Sequence, residues 1–471
     1  MRNRAIPAFS VLSPTRDLRD SVALPRAVQV VVAGGGLAGI CAAAALSQRG
    51  YHVLVVEPGV TYARRLAGEL LHPPALVDLR ALGLAGALTD AGAQSVEGFA
   101  VFLAGDGAAE SRCVLGYDEL GGRGATAEHG ALVTALLARA RSLPNVSVIT
   151  GGRVDGVTHV ADGVVVTIAV AGARHEVRCE LLVAADGRGS NVRKLAGIEA
   201  HRTQLSTMAG YVVETDTLPC PNHGHIFVSG AAPVLAYAIA PNRVRVMIDV
   251  DSPNEVRDRD RLRALPKPFR AAVAHAIETQ RPVNASNLTI VPNALAIGRV
   301  VLVGDAAGCC HPVSASGLAS AAHDARVLAD AIGAFPDDLA RALARYARRR
   351  QRSQNVRIAL ASALYRAFAE PSPEMVLLRR GLVDYWQHSP RGRAASMALL
   401  ATSEQRFAIL AREYAHVAAR GLPTLFDRAR PKLPRRQAVK GLLASVVPHL
   451  QGAVHAWLPQ KTRIAASEVA P

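Results

Sequence analysis

Gly34-Gly35-Gly36-Leu37-Ala38-Gly39 holds four glycines, three of them spaced where a backbone turn can approach a phosphate. Gly34 permits the tight turn after a strand, and Gly36 lets the backbone come close to a pyrophosphate. Gly39 lets the following helix pack on the strand. The start of that helix, with Leu37 and Ala38, offers free N–H groups and the positive end of a dipole to the anion. Glu57 follows Gly39 by eighteen residues, where a carboxylate can accept hydrogen bonds from an adenosine ribose. The turn alone is only a run of small residues. With a strand before it, a helix after it and Glu57, it reads as a dinucleotide site.

Two later segments add chemistry. Ala185-Asp186-Gly187-Arg188-Gly189-Ser190-Asn191-Val192-Arg193 offers an acid, a hydroxyl and two cations around a turn. Its bland reading is a strand-to-helix turn with Arg193 on a solvated face. Leu302-Val303-Gly304-Asp305-Ala306-Ala307 delivers Asp305 at the end of a strand. Its bland reading is an acid capping a helix. A Pro-containing turn, His311 to Gly317, then leads to another helix, whose N-terminal dipole would favour negative charge nearby.

These segments need a frame. Ala27–Ala33 reads as a buried parallel strand, Leu37–Arg49 as an Ala-rich helix, and Tyr51–Glu57 as the next strand. Together they form a βαβ unit of dinucleotide-fold size. Pro73–Leu82 and Leu132–Arg141 read as helices, Val146–Thr150 as a strand, and 163–170 with 175–184 as a hairpin. Residues 205–295 alternate polar and apolar side chains and predict an antiparallel sheet with one face covered. The spans 316–332, 337–369, 373–387, 394–420 and 436–457 predict helices.

Bulk properties exclude some classes. The chain has 471 residues, half of them apolar, enough for a sizeable core. Its six cysteines, at 41, 113, 179, 220, 309 and 310, lack metal-ligand spacing, so neither a zinc site nor a disulfide framework is expected. Cys309-Cys310 reads as core filling rather than redox chemistry. The thiols read as reduced, which predicts a cytoplasmic protein; residues 1–26 read as a disordered leader rather than a signal peptide, and no run of eighteen apolar residues predicts a spanning helix. Residues 341–471 carry 23 Lys+Arg against 7 Asp+Glu, the whole of the net charge of +16. That excess reads either as Arg on solvated helices or as a basic surface for anionic lipid. With 4% aromatic residues and no binding motif, nucleic acid is not an expected partner.

A family resemblance sharpens the reading. The Gly turn, Asp186 segment and Gly304-Asp305 resemble the three motifs of aromatic-hydroxylase-type flavoproteins. Arg65-Leu66-Ala67-Gly68-Glu69-Leu70-Leu71-His72-Pro73, and the spacing from Gly304-Asp305 through His311-Pro312 to Gly317, resemble squalene epoxidases. Pro233 to Leu235 and Arg243 to Asp249 resemble that family's substrate-domain hairpin. The resemblance covers about residues 27–420. It implies FAD as cofactor, with NAD(P)H as co-substrate. Leu37, Ala38 and Glu57 would lie at the adenosine half, with Arg153 contributing backbone near adenine. Asp186 would lie near the pyrophosphate, and Arg65 and Leu70 against FAD. Asp305, Gly317 and Leu318 would meet the ribityl chain and flavin ring. The chain departs from the family at four places. Phe99 replaces the active-site Tyr, and His72 replaces the Gln that this Tyr bonds. Leu137 replaces a flavin-contacting Arg, and Ala315-Ser316-Gly317 replaces a Gly triplet. His72 reads equally as a polar group near the flavin or as a helix-start histidine.

The expected fold is α/β: a Rossmann-type FAD-binding domain with an inserted antiparallel-sheet substrate domain and a helical C-terminal region. The expected limits are a leader at 1–26, the FAD domain at 27–204 and 296–335, the substrate domain at 205–295, and the basic helical region at 336–471. The expected reaction is monooxygenation of a large apolar substrate by O2, most simply epoxidation of an isoprenoid or prenylated compound. No catalytic base is assigned; His72 and Phe99 are the pocket candidates. Rivals are ring hydroxylation of a quinone, quinolone or polyketide precursor, a flavin-dependent prenyl reductase, and a non-enzymatic flavin scaffold. A halogenase is disfavoured, because Trp386 and Trp457 form no WxWxIP segment. Peripheral membrane contact through the basic C-terminal helices is expected, and no obligate protein partner.

Overall fold

The computed structural model describes residues 24–59, 66–103, 111–229, 232–250, 259–426, 432–442 and 444. Arg65, most of the leader and most of the 436–457 segment lie outside the described residues.

The Val-rich strand Ala27–Ala33 sits at the centre of an eight-stranded sheet. Val53–Glu57 and Ala173–Ala184 pair with it in parallel on either side. Val146–Thr150 and Val300–Leu302 extend the parallel order outward. Both faces are covered, so Val30, Val31 and Val32 are buried without alternation. The helix Leu37–Ser47 packs on one face. It is Ala-rich, and all its residues but Ala38 are buried. Gly163–Val170 and Gly152–Val160 add antiparallel strands onto Ala173–Ala184.

A second sheet has seven strands. Its order is Val283–Pro292, Ala200–Glu214, Arg243–Val250, Val234–Ala240, His223–Val228, Gly98–Leu103 and Ser111–Gly116. All neighbours are antiparallel except His223–Val228 with Gly98–Leu103. The sheet therefore reaches beyond the 205–295 segment and takes two strands from residues 98–116. One face packs on helix Lys267–Thr279, which the sequence reading did not anticipate. That helix buries Phe269, Val273, Ala276 and Ile277, an i, i+4, i+7, i+8 stripe. The other face, with Phe99, Ile226, Leu235, Tyr237 and Met247, joins a core shared with the C-terminal helices.

Those helices are Gly317–Ala334, Leu339–Ala369, Pro373–His388, Pro390–Leu400 and Phe407–Gly421. The single helix expected at 394–420 is two. Between them Thr402 has φ 63°, Ser403 donates to the Ala398 carbonyl, and Glu404 pairs with Arg406. These local side-chain bonds compete with the helical ladder and end it. The basic excess is also not all on the surface: Arg350, Arg357, Arg379 and Arg380 are buried.

Candidate active site

Close packing brings the three motifs together. A Cβ at Gly34 would meet the Ala185 carbonyl oxygen at 2.4 Å and Asp186 Cα at 3.1 Å. A Cβ at Gly39 would meet the Gly34 oxygen at 1.8 Å, so the helix can start there only on glycine. A Cβ at Gly304 would meet Ala38 Cβ at 2.6 Å. Arg193 joins the middle motif to the late one. Its guanidinium donates to the Ala306 carbonyl at 2.9 Å and to the Arg188 carbonyl at 3.1 Å. Arg193 is 1% exposed, which corrects the solvated-face reading. Asp186 caps its own short helix, accepting from the Ser190 hydroxyl at 2.5 Å and the Val192 N–H at 2.9 Å.

The cradle fits an adenine dinucleotide. A Cβ at Gly36 would meet nothing within 4 Å, so space lies open before helix Leu37–Ser47. No side chain caps that helix start. Glu57, at the end of its strand, accepts the Gly35 N–H at 2.5 Å, which fixes the carboxylate beside the turn. Leu137 packs on the same turn, its Cδ2 2.8 Å from a Cβ built on Gly35. Arg153 is largely exposed on Gly152–Val160, beside Asp155 at 3.5 Å.

One cavity runs from the late motif to the seven-stranded sheet. Asp305, Gly317 and Leu318 line one end. Leu66, Leu70, Phe99, Met208, Ile226 and Leu235 line an apolar stretch. The Phe99 ring lies on Gly224, where a Cβ would come within 2.6 Å of it. Cys309 and Cys310 also line the cavity. Burial raises the Cys309 thiol to about 12, so it stays protonated.

A family model described as FAD binding domain matches residues 27–357. The chain belongs to that family. It is a FAD-dependent monooxygenase. Among curated proteins it is similar to squalene epoxidase 3 of Arabidopsis thaliana, at 27% identity over 385 residues. That match covers 76% of this chain and 71% of the relative. Squalene epoxidase erg1 of Schizosaccharomyces pombe is 27% identical, over 76% of this chain and 82% of the relative. Among solved structures, the probable FAD-dependent monooxygenase pqsL of Pseudomonas aeruginosa aligns with a TM-score of 0.63 at 22% identity. It covers 73% of this chain and 97% of its own. Aklavinone-11 hydroxylase, solved with FAD and aklavinone, aligns with a TM-score of 0.59 at 24% identity. It covers 73% of this chain and 69% of its own. These two structures share the fold.

The pocket candidates of the monooxygenase separate. Phe99 lines the cavity; His72 is fully buried behind it, with ring centroids 5.8 Å apart. His72 Nε2 meets the Ser314 carbonyl at 3.0 Å, and Nδ1 meets the Tyr117 hydroxyl at 2.7 Å. A carbonyl only accepts, so Nε2 carries the proton and Nδ1 accepts from Tyr117. Burial lowers the His72 pKa to about 4 and holds the ring neutral.

Three buried polar groupings were not singled out from sequence. Glu69 accepts from Arg245 at 2.8 and 2.9 Å and from the Tyr237 hydroxyl at 3.2 Å. His311 Nδ1 accepts the Val313 N–H, so Nε2 donates to the Asp249 carboxylate, at 2.8 Å. Arg350 and Arg357 reach from helix Leu339–Ala369 to the late motif. Arg350 pairs with Asp324 at 2.7 Å, and the same carboxylate accepts the Gly304 N–H at 2.9 Å. Glu69 and His311 lay inside quoted motifs, so a signal existed. Nothing local marked Tyr117 or Arg357.

Proposed function

We propose that this monooxygenase inserts one oxygen atom from O2 into a large apolar substrate, epoxidising an alkene of an isoprenoid or prenylated compound. NAD(P)H is the proposed reductant. The observation that carries this reading is the cavity: an apolar stretch from Leu66 to Leu235 that opens directly onto Asp305, Gly317 and Leu318. The similarity to squalene epoxidases over three quarters of the chain supports it.

In this reading the bound flavin supplies the activated oxygen. The chain binds, orients and keeps water out. Asp305 and Glu57 are proposed to hold the ribityl chain and the ribose, the Gly turn the pyrophosphate, and Leu70 and Leu318 the ring. The apolar wall from the seven-stranded sheet positions an alkene and excludes solvent. Glu69 is already bound by Arg245 and Tyr237, and His72 by Tyr117 and Ser314, so no free base is needed or assigned. Ring hydroxylation is the second reading. Asn287 on the cavity wall favours it, since its amide oxygen would suit a polar ring substituent.

Peripheral membrane contact is also proposed. No helix among the described residues is long and apolar enough to cross a membrane. Leu422 and Phe426 are exposed just after helix Phe407–Gly421, and Arg435 lies over the Phe426 ring at 4.7 Å. An exposed apolar side chain beside a cation suits an anionic interface.

The deciding experiment incubates FAD-loaded enzyme and NADPH with a panel of polyprenyl compounds and aromatic acids. A product heavier by one oxygen from the polyprenyl set supports epoxidation. Oxygen insertion confined to the aromatic set overturns it in favour of ring hydroxylation.

A further inference from the structure

Among the described residues, Arg357 is a buried cation with no carboxylate partner. It is 4% exposed and lines the cavity beside Ser316, Gly317 and Leu318. Its Nε donates to the Ser316 hydroxyl at 3.2 Å, and Nη1 donates to the Ser320 hydroxyl at 2.7 Å and to Gln354 Oε1 at 3.1 Å. All three acceptors are neutral. Among the described residues no Asp or Glu oxygen lies within 4 Å of it. The contrast with Arg350, two turns earlier on the same helix face, is direct: Arg350 has Asp324. A buried charge without a counter-ion is costly, so an anion brought to this wall would be favoured.

The start of helix Gly317–Ala334 points to the same anion. Ser316 precedes it but makes no capping bond to it; its hydroxyl is engaged with Ser314 and Arg357 instead. A Cβ at Gly317 would meet nothing within 4 Å, so the open helix end faces the cavity. A helix dipole equivalent to roughly half a charge and a full guanidinium charge thus converge on one wall.

We propose that Arg357, with the open start of helix Gly317–Ala334, holds the negative charge that the flavin gains on reduction, and thereby sets its reduction potential. Two electrons and one proton convert the neutral oxidised ring into a singly charged anion. In turnover they arrive as hydride from a dihydronicotinamide, which leaves as the oxidised nicotinamide. The inference rests on the FAD assignment but on neither substrate reading.

The test is a dye-coupled equilibrium reduction of the FAD-loaded protein, which needs neither substrate nor nicotinamide. Arg357→Gln should lower the equilibrium constant for reduction at least tenfold, about 30 mV for a two-electron couple. Arg357→Lys, which keeps the charge, should stay within about threefold of the parent, roughly 15 mV. Gln354→Glu places a carboxylate against the intact guanidinium and should lower the constant in the same direction as Arg357→Gln. That variant decides the matter if Arg357→Gln does not fold. An unchanged constant in FAD-loaded Arg357→Gln, or in Gln354→Glu where the former cannot be made, overturns the proposal. So does weaker benzoate binding at unchanged potential, which gives Arg357 to a substrate acid. A parent protein that takes up no FAD would instead sink the cofactor assignment itself.

Discussion

The Tyr117 hydroxyl donates to His72 Nδ1 at 2.7 Å, across two residues that are both fully buried. Tyr117 follows the strand Ser111–Gly116, which neighbours the strand of Phe99. A phenol is therefore paired with residue 72 although position 99 holds only a phenyl ring. The pair fixes the His72 tautomer and ties the Ser314 turn to the seven-stranded sheet.

Removing that hydroxyl should cost stability. Tyr117→Phe leaves a buried imidazole nitrogen without a donor, at about 1–3 kcal/mol. His72→Ala orphans both Tyr117 and the Ser314 carbonyl and should cost more. Denaturant unfolding measures both. If His72 also shapes the pocket behind Phe99, His72→Ala raises NAD(P)H-dependent peroxide release more than it changes FAD affinity. Unchanged coupling would leave His72 with a purely structural role.

Acid should weaken the fold through His72. Its folded pKa, about 4, lies below the unfolded 6.5, so the unfolded chain binds more protons between those values. Stability is therefore full above pH 6.5 and falls as pH drops toward 4. The contribution at stake is on the order of 3 kcal/mol. His225, lowered by burial to about 3, acts in the same direction. His72→Gln should flatten the pH dependence of unfolding; an identical slope would show that His72 is not its source.

Asp305 should matter to the cofactor rather than to the fold. It sits on a turn at the cavity wall and is only partly buried. Asp305→Ala should weaken FAD binding or turnover by about ten- to a hundredfold, the scale of one charge-assisted hydrogen bond. Flavin titration followed by absorbance checks it. Full occupancy with unchanged turnover would remove Asp305 from the site.

Glu69 and Arg245 form a buried bidentate pair between the loop before Leu70 and the seven-stranded sheet. Arg245→Met alone should destabilise by about 3–5 kcal/mol, because it strands the Glu69 charge. Adding Glu69→Gln should restore part of that loss. Additive losses in the double-mutant cycle would rule out direct coupling.

Membrane contact through the C-terminal region predicts sedimentation with anionic vesicles at low salt. Binding should fall with added salt, with Phe426→Ser, and on deletion of residues after about 390. A full-length protein that ignores such vesicles would leave these helices as packing in the core shared with the seven-stranded sheet.

The βαβ unit, the Gly turn, Glu57 and the Asp305 turn were legible in the sequence because each is a local backbone demand. Gly39 must be glycine since a carbonyl lies 1.8 Å from where its Cβ would stand, and such demands leave residue types at fixed spacing. The burial of Arg193, the split of 394–420 and the Tyr117–His72 and Glu69–Arg245 pairs were not legible. Partners 45 and 176 residues apart meet only when sheet register and helix packing are fixed. Arg357 shows the limit most plainly. In sequence it is one of 23 basic residues after position 340, and only the fold buries it without a carboxylate at the cavity wall.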